Sequence, residues 1–145
     1  MTDQIKEYKL KIPSQTKNLE LIRNFVGDVA RNVGFEAKEI DKIELAVDEA
    51  CTNVIQHAYK RQDGKDIDVA VKLDYQKLTI VVTDKGDNFT PDQVEIPDLE
   101  KYLAELRVGG LGIYLMKSLM DEVEYESGPA GENQVRMVKY FLKEE

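Results

Sequence analysis

The sequence has one cysteine, one histidine and no long apolar run in its 145 residues. Cys51 has no second thiol to pair with, so no internal disulfide holds the fold. It sits among apolar residues in ACTNVI, which reads as a buried thiol. No stretch approaches the ~20 apolar residues that span a bilayer. The first residues, MTDQIKEYKLKIPS, carry no apolar signal core. A cytoplasmic location is the expectation. A block of lysine and arginine is also missing, and the formal net charge is -8. Direct partnership with nucleic acid or with an anionic membrane surface is therefore not expected. No internal repeat or low-complexity tract is visible.

What is present suits a soluble globular domain: 42% hydrophobic and 33% charged residues. The length predicts a single domain over 1–145 that buries its core without disulfides. Tyr8, Leu10 and Ile12 alternate with lysines as a strand does, and Pro13 ends the run. Ser14 and Thr16 are candidate N-caps for the helix that follows. Leu19, Ile22, Phe25, Val26, Val29, Ala30 and Val33 recur at helical spacing, and Gly34 is placed to stop that helix. A second helix is predicted over about 36–59, with Ile40, Ile43, Val47, Ala50, Val54 and Ala58 as its apolar stripe. Two alternating runs, at 67–73 and 78–82, are joined by Asp74-Tyr75-Gln76-Lys77 and predict an antiparallel hairpin. The stretch 84–110 holds glycines and prolines, with a short helix predicted around 99–106. A loop of that length in a small domain is usually functional or mobile. A third helix over 111–120 and two strands at 122–126 and 134–142 complete the chain. The fold class that follows is a two-layer α/β (α+β) sandwich. Its sheet is mixed or mostly antiparallel, with the helices on one face.

Three segments carry chemistry. Glu49 and Asn53 lie four apart on the second helix and so share a face, offset from the apolar stripe. An amide oxygen suits magnesium, and a carboxylate can take a proton from an attacking hydroxyl. The same spacing also describes an ordinary solvated face. Asp84, at a strand end with Gly86 behind it, can accept a hydrogen bond from an amino group such as adenine's, or can simply begin a turn. Gly109, Gly110 and Gly112 precede or open the third helix, where bare N–H groups and the helix dipole favour a phosphate. A flexible hinge would use the same glycines. The segment has no GKS or GKT, so it is not a P-loop.

Taken together, Glu49-Ala-Cys-Thr-Asn53, Asp84-Lys-Gly86 and Gly109-Gly110-Leu-Gly112 resemble the three nucleotide boxes of a superfamily. It is the histidine-kinase-like ATPase superfamily shared by histidine kinases, gyrase and MutL. Within it the chain is most similar to the anti-sigma factor serine kinases, through VDEACTNVIQHAY and LRVGGLGIYLMKSLMDEVEY. The resemblance covers nearly the whole chain and implies that superfamily's α/β sandwich.

The resemblance implies Glu49 as catalytic base, Asn53 as magnesium ligand and Asp84 as adenine acceptor with Gly86 beside it. It implies Gly109, Gly110 and Gly112 on the phosphate side, Arg107 as a phosphate contact, and 89–108 as a lid over ATP. Asn88 stands where a second glycine is common, and asparagine tolerates left-handed backbone better than most residues. The implied activity is an ATP- and Mg2+-dependent serine kinase acting on a small STAS-type anti-sigma-factor antagonist. The implied partner is a sigma factor, held inactive by a homodimer. The alternative is a nucleotide-dependent anti-sigma binding module without transfer. His57 is not expected to be a phosphorylated histidine, because it belongs to the nucleotide-site helix and no separate dimerisation helix pair is expected before the domain; it is read as a helix-end residue near the site.

Overall fold

The computed structural model describes residues 6–58, 64–85, 111–127 and 131–141. The strands are β1 (Lys6–Pro13), β2 (Asp66–Leu73), β3 (Lys77–Asp84), β4 (Glu122–Ser127) and β5 (Asn133–Tyr140). The helices are α1 (Leu19–Val33), α2 (Ala37–Asn53) and α3 (Leu111–Leu119). The sheet order is β1-β2-β3-β5-β4. Every described pairing is antiparallel, so the expected mixed component is not found among the described residues. The predicted short helix around 99–106, the segment 89–108 and Tyr59 lie outside the described residues.

Alternation sorts each strand into two faces. Ile12, Ile67, Val69, Val71, Leu78, Ile80, Val82, Val135 and Met137 are buried and meet the helices. Ile22, Val26, Val29 and Ala30 of α1 pack on them, as do Ile40, Ile43, Val47, Ala50 and Val54 of the second helix. Met116 of α3 and Met120, just past its end, close the core. The helices therefore form one layer on one face of the sheet, with α2 packed against both α1 and α3. Cys51 is buried within that layer.

Asp74 turns the β2–β3 hairpin by accepting the N–H groups of Gln76 and Lys77 at 2.7 and 2.9 Å. The start of α1 departs from expectation, because neither Ser14 nor Thr16 caps it. A 3-10 turn, Thr16–Asn18, runs straight into the helix. The Asn18 side chain donates to the Pro13 carbonyl at 2.8 Å instead of capping. The stop at Gly34 is as expected. Its φ is 110°, and its N–H reaches the carbonyls of Ala30 and Arg31, while Phe35 N–H also reaches Ala30.

A Cβ on Gly34 would meet the Phe141 ring, Cζ at 3.5 Å and Cε1 at 3.7 Å, in ordinary contact. The cost of Gly34→Ala is then the left-handed backbone alone, about 1–2 kcal/mol. Urea unfolding should show a lower midpoint with an unchanged slope. An unchanged midpoint would mean the turn relaxes to a right-handed conformation.

Candidate functional site

The second helix carries its functional face to the end of β3. Asn53 is the last residue of α2, and the chain continues as a π-helical turn, Val54–Ala58. The predicted helix over 36–59 is thus interrupted. The Val54 N–H is shared between the carbonyls of Ala50 and Cys51 at the junction. Such wide turns occur often at functional sites. His57 lies within this turn.

Asp84 closes β3 and is 6% exposed. Its register partner on β5 is Asn133, which is 8% exposed. The Asn133 Nδ2 donates to Asp84 Oδ1 at 3.0 Å. The two side chains line a cavity of about 40 Å³ together with Asn53, Val54, Val82 and Tyr125. A volume that small takes water but not a purine base, so among the described residues it is not a ready-made slot for one. The Tyr125 hydroxyl also reaches Met116 Sδ at 3.9 Å, which ties the cavity wall to α3.

The Asn53 Oδ1 is buried and accepts no hydrogen bond among the described residues. An orphaned acceptor of this kind is costly unless something else satisfies it. A hard cation is one such partner. Glu49 lies one turn earlier, half-buried and outside the cavity lining. Burial, and then the charge of neighbouring Asp48, push its carboxyl above the usual glutamate range. Asp48 is itself paired with Arg23 of α1 at 3.2 Å.

The structure thus brings Asn53 and Asp84 to one cavity and sets Glu49 a turn away. Gly112 lies in the first turn of α3. Gly86, Asn88, Arg107, Gly109 and Gly110 lie outside the described residues. Sequence reasoning missed Asn133. Its signal was parity: Asn133 shares the inward face of β5 with Val135 and Met137, where an apolar residue is the default.

Residues 12–139 match the family model described as the histidine kinase-like ATPase domain. The chain belongs to this ATPase family. It is 40% identical to a serine-protein kinase RsbW of Bacillus pumilus (strain SAFR-032), over 99% of this chain and 91% of that one. The RsbW of Bacillus subtilis (strain 168) is 37% identical over 92% of this chain and 84% of that one. Two solved structures share the fold. The RsbU and RsbW domains of a Mycobacterium tuberculosis protein superpose with a TM-score of 0.64 at 15% identity, over 92% of this chain and 31% of that one. The SiaB-SiaC complex of Pseudomonas aeruginosa gives 0.63 at 13%, over 90% and 88%. The ATPase domain therefore has both its sequence family and its sandwich represented among known proteins.

If Asp84 is the adenine acceptor, Asp84→Asn replaces a carboxyl acceptor by an amide that can present a donor, beside the Asn133 donor. ATP and AMP should then lose affinity alike, by about tenfold, since an acceptor is exchanged for a group that can turn a donor toward adenine's amino group. Calorimetry on the folded variant measures this. Unchanged affinity for both nucleotides would remove Asp84 from the site.

Proposed function

We propose that the chain is a serine-protein kinase that uses ATP with magnesium to phosphorylate an anti-sigma-factor antagonist of the STAS type. In the same reading it sequesters a sigma factor and works as a cytoplasmic homodimer. One observation carries the site: the Asn53 Oδ1, without a hydrogen-bond partner among the described residues, shares a cavity with Asp84. The near full-length likeness to serine-protein kinases supports the reaction.

The donor set fits magnesium. Among the described residues no group of three or more His, Cys, Asp or Glu side chains could hold a metal ion. Magnesium in phosphoryl transfer needs no such cage, because it keeps waters and takes substrate phosphates as ligands. Asn53 is the residue that would hold it, through the buried Oδ1. When bound, it neutralises charge on the phosphate oxygens.

The remaining roles belong to the chain. Asp84 accepts the adenine amino hydrogen, fixed in place by Asn133. The first turn of α3 at Gly112 receives the phosphates, with Gly109, Gly110 and Arg107 assigned to them and Gly86 to the adenine side by the family resemblance. Glu49 accepts the proton of the incoming serine hydroxyl as its oxygen bonds to the γ-phosphorus, and ADP leaves. A carboxylate with a raised pKa is a stronger base for that task, provided the pH stays above its pKa. The binding-module alternative leaves this half-buried carboxylate on the helix face beside Asn53 without a role.

Glu49→Gln keeps the shape and removes the proton acceptor. Transfer from labelled ATP to the antagonist should fall by about 10²–10⁴-fold, with ATP affinity nearly unchanged. Transfer at the wild-type rate would rule Glu49 out as base. A wild-type protein that binds ATP and sigma factor yet phosphorylates no antagonist would favour the binding module.

The raised pKa also sets a pH dependence. Protonation of Glu49 removes the base, so kcat should fall as pH drops through a midpoint above the usual glutamate range. Asp48→Asn removes the adjacent charge and should move that midpoint down. A midpoint that stays in place would assign the acidic limb to another group.

A further inference from the structure

The second polar residue on the inward face of β5 is Lys139, 3% exposed. Lysine is almost never buried to this degree unless paired. Its Nζ donates to the Leu119 carbonyl at 2.7 Å and lies 3.2 Å from Glu39 Oε1. Leu119 is the last residue of α3, so its carbonyl has no partner within the helix. A cation there also complements the negative end of the helix dipole. Glu39 is in the first turn of α2. One ammonium therefore joins α2, α3 and β5.

The backbone grips the same point. Asp121 N–H donates to the Val138 carbonyl at 2.8 Å, and Asp121 Oδ2 accepts the Tyr140 N–H at 2.7 Å. Helix α3 has nine residues, about 13 Å of length, and a helix that short depends on tertiary contacts for its placement. Its other end carries Gly112. We infer that Lys139 is a positioning residue for the nucleotide's phosphate end: it pins the C-terminus of α3 and so sets where the helix's first turn stands. The inference rests on the nucleotide reading above and adds a residue to it on the far side of the core.

Lys139→Met keeps length and removes charge. Glu39 keeps Lys42 at 3.5 Å, so its carboxylate is not stranded. Two readouts separate positioning from bulk stability. Without nucleotide, amides of α3 should exchange about tenfold faster while those of β2 and β3 keep their rates. Calorimetry should show ATP affinity weakened about tenfold, with adenosine, which has no phosphates, within about twofold of wild type. Unchanged exchange in α3 would overturn the anchor. Equal losses for ATP and adenosine would overturn the positioning role in favour of general destabilisation. If Lys139→Met does not fold, the double variant Glu39→Gln/Lys139→Met removes both charges and carries the same test. A wild-type protein that binds neither ligand would overturn the nucleotide reading and the positioning role with it, while the exchange data still score the anchor separately.

Discussion

The burial of α2 is the constraint on which the site depends. Its stripe from Ile40 to Val54 is almost wholly removed from water between the sheet and the other two helices. Rotating the helix would lift that stripe off the sheet, at a cost of ~1.5–3 kcal/mol for each large aliphatic side chain exposed. The orientation of Glu49 and Asn53 is therefore not a local choice. It follows from a hydrophobic face that begins 13 residues earlier at Ile40 and is held throughout.

Two of the buried polar side chains among the described residues sit at the two ends of one strand. Strand β5 is inward-facing at Asn133, Val135, Met137 and Lys139, apolar in the middle and polar at both ends. At one end Asn133 braces Asp84, and at the other Lys139 holds α3 and Glu39. Burial alone would raise the Glu39 carboxyl's pKa, but the hydrogen bond and charge of Lys139, with Lys42, hold it below the usual range. The pair's contribution to stability is thus present at neutral pH. It is lost as acid titrates Glu39 through its lowered pKa.

Much of this was legible in the residues. Helical spacing with Gly34 behind it located α1, and Asp74 located the hairpin, because local physics decides both. The start of α1 was not legible, since serine, threonine and asparagine all cap helices and only Pro13's carbonyl position selects what Asn18 does. The π-helical turn after Asn53 has no marker in VIQHA. Sheet order was also hidden, because β3 pairs with β5 across a long stretch of chain and hydrophobic patterning does not choose partners. Of the site, Asn53, Asp84 and Glu49 stood out by residue type and spacing, whereas Asn133 needed the β3–β5 register to acquire a meaning.

The central claim is that Asn53 faces the metal–nucleotide end of the site. Manganese in place of magnesium, with a non-hydrolysable ATP analogue, offers a direct reading, because its unpaired electrons broaden the resonances of nearby nuclei. The side-chain amide resonance of Asn53 should vanish only when manganese and the analogue are both present, while amides at the α1–α2 turn around Gly34 stay sharp. An Asn53 amide that remains sharp in the presence of both would contradict the account.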